Sequence, residues 1–291
     1  MHDRHPLPGE DRIVDGVRLH FVRHGRDDPG RPRPALLMLH GLPTSSYLWH
    51  DVMRDLGHDH RLLAPDLLGL GRSERPARTG YDLATQARRL WLLADDLGLD
   101  QVVLVGHDLG GAIAAHMCAV RRERVAGLVL MSSPVHASGW PTPSVLPLTL
   151  PGVRTAYLAA LGLSPGLARR AIGRALRADV PPSAIDRHLA PLLHGEGPRG
   201  LIAFTKAVDM TAVEAAWRLV VAEPPPALVL WGEDDHVHST AYGRRLATEL
   251  AGAAWVPVGG GRLLPQERPE RVAEEIDGFV AEVQSAPAAV R

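Results

Sequence analysis

No histidine occurs after His238 in this chain of 291 residues, so its C-terminal part has no imidazole to serve as a base. Cysteine is almost as scarce. The single Cys118 excludes an intramolecular disulfide, and a reducing cytoplasm is the expected setting. It falls on a predicted helix among small residues and reads as a packing residue rather than a nucleophile. Net charge is −1 with pI near 7.0, which gives no field for nucleic acid or an anionic membrane. No apolar run approaches the ~18 residues of a membrane span. The start, Met1-His2-Asp3-Arg4-His5-Pro6, is polar with no apolar run behind it, so no signal peptide is expected. Lys206 is the one lysine among 32 basic residues, which points to a GC-rich bacterial coding sequence. Nothing suggests a metal or organic cofactor, an internal repeat or a low-complexity tract.

What is present is a hydrophobic content of 45%, enough for one large core with a small inserted subdomain. Short apolar runs alternate with helical stretches, which predicts an α/β fold built on a mostly parallel sheet. A hairpin around Asp15-Gly16 opens the pattern. Ala35 to Leu39, Arg61 to Ala64, Val102 to Val105, Val125 to Met131, Ala227 to Trp231 and Ala254 to Val258 read as buried strands. Helical periodicity runs through Leu83 to Leu97, Ala112 to Arg121, Ala241 to Leu250 and Glu270 to Val283. Between Pro134 and Pro226 the alternation stops, and prolines such as Pro141, Pro143, Pro147 and Pro151 precede short amphipathic helices. This stretch is too long for a loop and predicts a helical insertion. The expected organisation is a core over 11–133, a helical cap over 134–226 and the rest of the core over 227–284, with fraying from about Ser285.

Val105-Gly106-His107-Asp108-Leu109-Gly110-Gly111 has the form of a nucleophile elbow, a strand, a strained turn and a helix with the reactive side chain at its apex. Small flanking residues are needed because the apex backbone is unfavourable and the helix packs close to the strand. The apex is Asp108, whose carboxylate would sit at a helix N-terminus, where free N–H groups favour charge. Alone, the motif also fits a βα turn with an incidental glycine pair. However, His40-Gly41-Leu42-Pro43 follows a buried strand as an oxyanion-hole loop does. Trp231-Gly232-Glu233-Asp234-Asp235 then supplies an acid loop in the chain order of this fold, and its spacing selects Asp235 over Asp234.

The stretch from Leu39 to Trp49, the stretch from Ala64 to Ser73, and Gly106-His107-Asp108 together resemble haloalkane dehalogenases and soluble epoxide hydrolases. The similarity runs from about Asp11 to Met131 and resumes from Pro226 to Val280. It implies an α/β-hydrolase fold, an eight-stranded mostly parallel sheet flanked by helices with an inserted helical cap. It also implies an aspartate that attacks carbon to form an alkyl-enzyme ester, and a histidine, oriented by an acid, that activates water to hydrolyse it. Asp66 and Asp82 match structural positions of that family.

Four departures bear on the chemistry. Arg262 stands in Gly259-Gly260-Gly261-Arg262-Leu263, where the base histidine belongs, and a guanidinium cannot take a proton from water. An ester on Asp108 would accumulate. Arg262 is expected to pair with Asp235, as it also would in a merely degenerate site. Leu109 and Leu42 replace the tryptophan and asparagine that hold a departing halide, and Ser132-Ser133 replaces an alternative acid. Tyr157 is the cap's single tyrosine where epoxide hydrolases usually carry two. Trp140, Trp217 and Phe204 fit a pocket wall, although plain core packing explains them too. His40 is expected to prop the oxyanion loop and His107 to point away from the apex. His236 and His238 in the acid loop lie close enough for one to replace the base, and His136, His188 and His194 in the cap could hang over the pocket, but each is read first as a packing or surface residue.

The expectation is an epoxide-hydrolase-like enzyme with Asp108 as nucleophile or general base, acting on a hydrophobic small molecule, as a monomer or homodimer. Two alternatives stay open. One is a non-hydrolytic cyclase, isomerase or lyase of secondary metabolism; the other is a ligand-binding pseudoenzyme or a protein inactivated by substitution.

Overall fold

The computed structural model describes residues 7–25, 33–142, 145–176 and 179–285. The polar start at Met1–Pro6, Pro143 and the tail beyond Ser285 lie outside the described residues. Eight strands form one sheet: β1 (Gly9–Val14), β2 (Val17–His24), β3 (Ala35–Leu39), β4 (Leu62–Pro65), β5 (Val102–His107), β6 (Val125–Met131), β7 (Ala227–Gly232) and β8 (Ala254–Val258). Their order is β1-β2-β4-β3-β5-β6-β7-β8, antiparallel up to β4 and parallel from there on.

Every residue of β3, β5 and β7 is buried, as expected of strands covered on both faces. Edge strand β1 begins four residues before the Ile13 start expected from periodicity. Gly9, Glu10, Asp11 and Arg12 pair with Val22, Phe21, His20 and Leu19, and as a glycine and three charged residues they carry no hydrophobic signal. Between β6 and β7 lie the helices Leu146–Thr149, Arg154–Leu163, Pro165–Leu176, Pro182–Leu193, Gly197–Lys206 and Met210–Ala222. They form the helical cap insertion between the two strands, and Met210–Ala222 packs along Leu109–Val120.

The helix after β5 starts at Leu109, three residues ahead of the Ala112 start expected from periodicity. Gly110 and Gly111 disfavour helix by propensity, but Asp108 caps it, accepting the Leu109 N–H. Cys118 is buried on that helix, and burial pushes its thiol up to about 12. Among the described residues no helix is long and apolar enough to cross a membrane, and no group of three or more His, Cys, Asp or Glu could hold a metal ion.

Candidate active site

β5 delivers His107 and then Asp108, whose backbone turns to φ 54, ψ −131, a left-handed conformation that costs a non-glycine residue of order 1–3 kcal/mol. The Asp108 N–H donates to Met131 O at 3.0 Å, and its carbonyl accepts from Gly111 N at 3.0 Å. Close approach makes the flanking glycines necessary. A Cβ on Gly106 would lie 2.5 Å from Gly111 Cα, and one on Gly41 would run into the Asp108 carboxylate.

The two carboxylate oxygens have different partners. Oδ1 accepts the Leu109 N–H at 2.6 Å and the Leu42 N–H at 3.1 Å. Two backbone N–H groups thus converge on one carboxylate oxygen, the arrangement expected of an oxyanion-hole loop. Oδ2 is paired with Nη2 of Arg262, and both side chains are 2% exposed. A buried pair of this kind stands only while both charges persist. Removing one partner costs about 3–5 kcal/mol because the other charge is left uncompensated.

Arg262 lies in the loop after β8, and its main chain is fixed independently of its side chain. His107 Nε2–H donates to Arg262 O at 2.8 Å. Glu267 accepts the Gly261 and Leu263 N–H groups, and burial raises its carboxyl above the ordinary range. Burial draws the Arg262 guanidinium down to about 9, which still leaves it cationic at neutral pH.

The expected Arg262–Asp235 pair does not form. Asp235 Oδ2 accepts from Ser132 Oγ at 2.6 Å, and Oδ1 accepts the Val237 and His238 N–H groups at 2.8 and 3.0 Å. These bonds engage both oxygens, and arginine is long enough to reach the apex carboxylate instead. The other terminal nitrogen of Arg262, Nη1, lies 2.9 Å from His238 Nδ1. His238 Nε2 faces the Gly139 carbonyl at 3.0 Å. Ser132 O also lies 2.9 Å from Nδ1.

Sequence reasoning read His238 first as a packing residue, while leaving it open as a replacement for the base from its place in the acid loop, and gave Ser132 and Glu267 no part in the site. Ser132 has φ 49 at the end of β6, a strained position with no sequence signature.

Other predicted residues are spread more widely. His40 links the oxyanion loop to the chain after β4, its Nδ1 lying 3.0 Å from Gly41 O and its Nε2 accepting from Leu67 N at 3.0 Å. Leu42 and Pro43 border a small apolar cavity of ≈ 30 Å³ whose other walls include Tyr157, Leu161, Leu189 and Leu192. Trp140, Trp217 and Phe204 are not among its lining residues. Trp140 packs half-buried against the core, Phe204 is fully buried in it, and Trp217 donates to Glu249 at 2.6 Å beside the His136 ring. His194 and His236 are exposed.

His188 reaches from the cap to the core, with Nε2 3.1 Å from Gln266 Oε1 and Nδ1 3.4 Å from Ser45 Oγ. Burial holds His188 and His50 down to about 4 and His107 to about 3, from an ordinary 6.5. Below pH 6.5 the unfolded chain therefore binds more protons than the folded one. Stability from these groups is full above pH 6.5 and lost as pH falls through about 4. His188→Gln is expected to flatten the stability–pH slope by about 1.4 kcal/mol per unit between pH 6 and 4.5. Denaturant titrations across that range check it, and an unchanged slope contradicts it.

Against known proteins, the model of the alpha/beta hydrolase fold family matches residues 34–188, more than half of the chain. Haloalkane dehalogenase 2 of Mycobacterium tuberculosis (strain ATCC 25618 / H37Rv) is 39% identical over 125 residues, 42% of this chain and 42% of that protein. The soluble epoxide hydrolase of Corynebacterium sp. (strain C12) is 38% identical over 119 residues, 41% of this chain and 39% of that one. The matched stretch thus spans well under half the length of either relative. Among solved structures, haloalkane dehalogenase DbeA from Bradyrhizobium elkani USDA94 superposes with a TM-score of 0.79 at 25% identity, covering 96% of this chain and 99% of that one. A thermophilic esterase from Thermogutta terrifontis reaches 0.75 at 23% identity, covering 96% and 100%. This fold thus also carries a protein described as an esterase, so the chemistry must be argued from the site. With its sheet order, its strained elbow at Asp108 and its helical insertion, the chain belongs to the α/β-hydrolase fold family, on the side of it that resembles haloalkane dehalogenases and epoxide hydrolases.

Proposed function

We propose that this chain is an epoxide-hydrolase-like enzyme acting on a hydrophobic small molecule, with Asp108 as its nucleophile. The observation that carries the reading is the split environment of the strained-elbow Asp108 carboxylate, with Oδ1 seated on two backbone N–H groups and Oδ2, paired with Arg262, as the oxygen that would attack. The apolar side chains beside Leu42 and Pro43 favour a substrate with little polar surface. Asp108 Oδ2 attacks an electrophilic carbon, the C–O bond of the ester forms, and the electron pair of the broken bond leaves with the departing atom. Leu42 and Leu109 N–H then hold the ester carbonyl.

Hydrolysis of that ester lacks its usual help. A base is worth ~10²–10⁴ in rate, roughly 3–5 kcal/mol of barrier, and Arg262 cannot supply it. One covalent equivalent per chain is therefore expected to build up. Incubation with a panel of epoxides, haloalkanes and activated esters, followed by intact-mass measurement, tests this. A stoichiometric adduct supports the reading, and an unchanged mass with every electrophile sinks it.

A second reading rests on the Arg262 clamp. A guanidinium on Oδ2 restrains it as a nucleophile, which favours a non-hydrolytic cyclase, isomerase or lyase using Asp108 as a general base. Turnover of a substrate without any adduct would favour it. We place the protein in the cytoplasm, on its single cysteine, and give it no nucleic-acid or membrane partner.

A further inference from the structure

Arg262 is a cation with almost no contact with solvent and one ionic partner among the described residues, the Asp108 carboxylate. Its remaining contacts leave an anion-binding capacity in place. Nε has no hydrogen-bond partner, and Nη1 lies 2.9 Å from His238 Nδ1, a neighbour that is not a carboxylate. His107 and His40, packed behind the apex, are both held neutral by burial and add no positive charge. Glu267, the neighbouring acid, is committed to Gly261 and Leu263.

Any event that discharges Asp108 leaves this guanidinium buried with no counter-charge. Alkylation of Oδ2 does so. The new C–O bond turns the carboxylate into a neutral ester, the broken C–X bond sends its electron pair away with X, and no proton changes hands. We propose that Arg262 is a conditional site for a small monovalent anion, closed while Asp108 is charged and open once it is neutral. The anion produced by the alkylation itself is the one at hand. This rests on the proposed role of Asp108 and applies to electrophiles that release a separate anion, whereas an epoxide keeps its alkoxide tethered to the ester. It also revises an expectation from the sequence. Leu42 and Leu109 offer no side-chain donor to a departing halide, but the arginine in the base position does.

Bromide provides the test, and no substrate is needed. Asp108→Asn mimics the discharged state. Its thermal midpoint is expected to rise saturably with sodium bromide against sodium gluconate of equal ionic strength, by about 5–10 °C at ~100 Kd. The wild type and the double variant Asp108→Asn/Arg262→Met should show no such rise. Should Asp108→Asn fail to fold, its refolding yield in bromide against gluconate reads the same coupling, and Asp108→Ala supplies a second neutral apex. A midpoint or yield indifferent to bromide in these variants overturns the proposal, as does an equal response in the double variant. If bromide has no effect but electrophiles still form the adduct, the anion site fails while Asp108 keeps its role. Bromide binding with no adduct from any electrophile means the reverse.

Discussion

Arg262→His is expected to raise steady-state hydrolysis of a simple terminal epoxide by about 10²–10⁴-fold. The shorter imidazole releases Asp108 Oδ2 from its clamp and offers a nitrogen lone pair that can take a proton from water. The loop that carries it should hold its place, because His107 and Glu267 grip the backbone rather than the arginine side chain. Asp235 retains the means to orient the new ring. A carboxylate offers about four lone-pair sites, and Ser132, Val237 and His238 occupy three. Haloalkanes should gain less than epoxides, since the same substitution removes the guanidinium that would receive the halide. Initial rates for both substrate classes measure this. No gain, together with loss of a native activity, would show that Arg262 takes part in the reaction and would favour the non-hydrolytic reading.

The other large effect is on stability. Asp108→Asn is expected to lose about 3–5 kcal/mol, since it leaves the Arg262 cation buried without its partner. Adding Arg262→Met should restore much of that loss, because no uncompensated charge is then left buried. Urea titrations of the wild type, both single variants and the double variant close the cycle. If Asp108→Asn falls within about 1 kcal/mol of the wild type, the pair does not carry the weight assigned to it.

The strands were legible because burial on both faces leaves apolar runs, as in Leu36-Leu37-Met38-Leu39 and Val102-Val103-Leu104-Val105. The elbow was legible because its glycines and Asp108 answer a steric demand that leaves few alternatives. Edge strand β1 was read short because Glu10, Asp11 and Arg12 are charged and carry no hydrophobic signal. The helix start at Leu109 was masked by a glycine pair whose poor propensity the Asp108 cap overcomes.

Within the site, Arg262 could be placed from its distance to β8, but its partner could not. Which carboxylate it meets depends on how Ser132, Val237 and His238 have already used Asp235, and those contacts join three separate stretches of chain. Tyr157 lines the cavity whereas Trp217 turns to Glu249. Nothing in helical periodicity distinguishes those two outcomes, because both rings sit on amphipathic helices beside the core.

The most direct measurement locates the covalent bond. Wild-type protein treated with an epoxide, digested and mapped by mass spectrometry should carry the added mass on the peptide containing Asp108, at no more than one equivalent. Asp108→Asn should carry none, and Arg262→His should shed the adduct within the time the wild type retains it. Label on Asp235, on a histidine or on Cys118, or an adduct undiminished in Asp108→Asn, would contradict Asp108 as the reacting group.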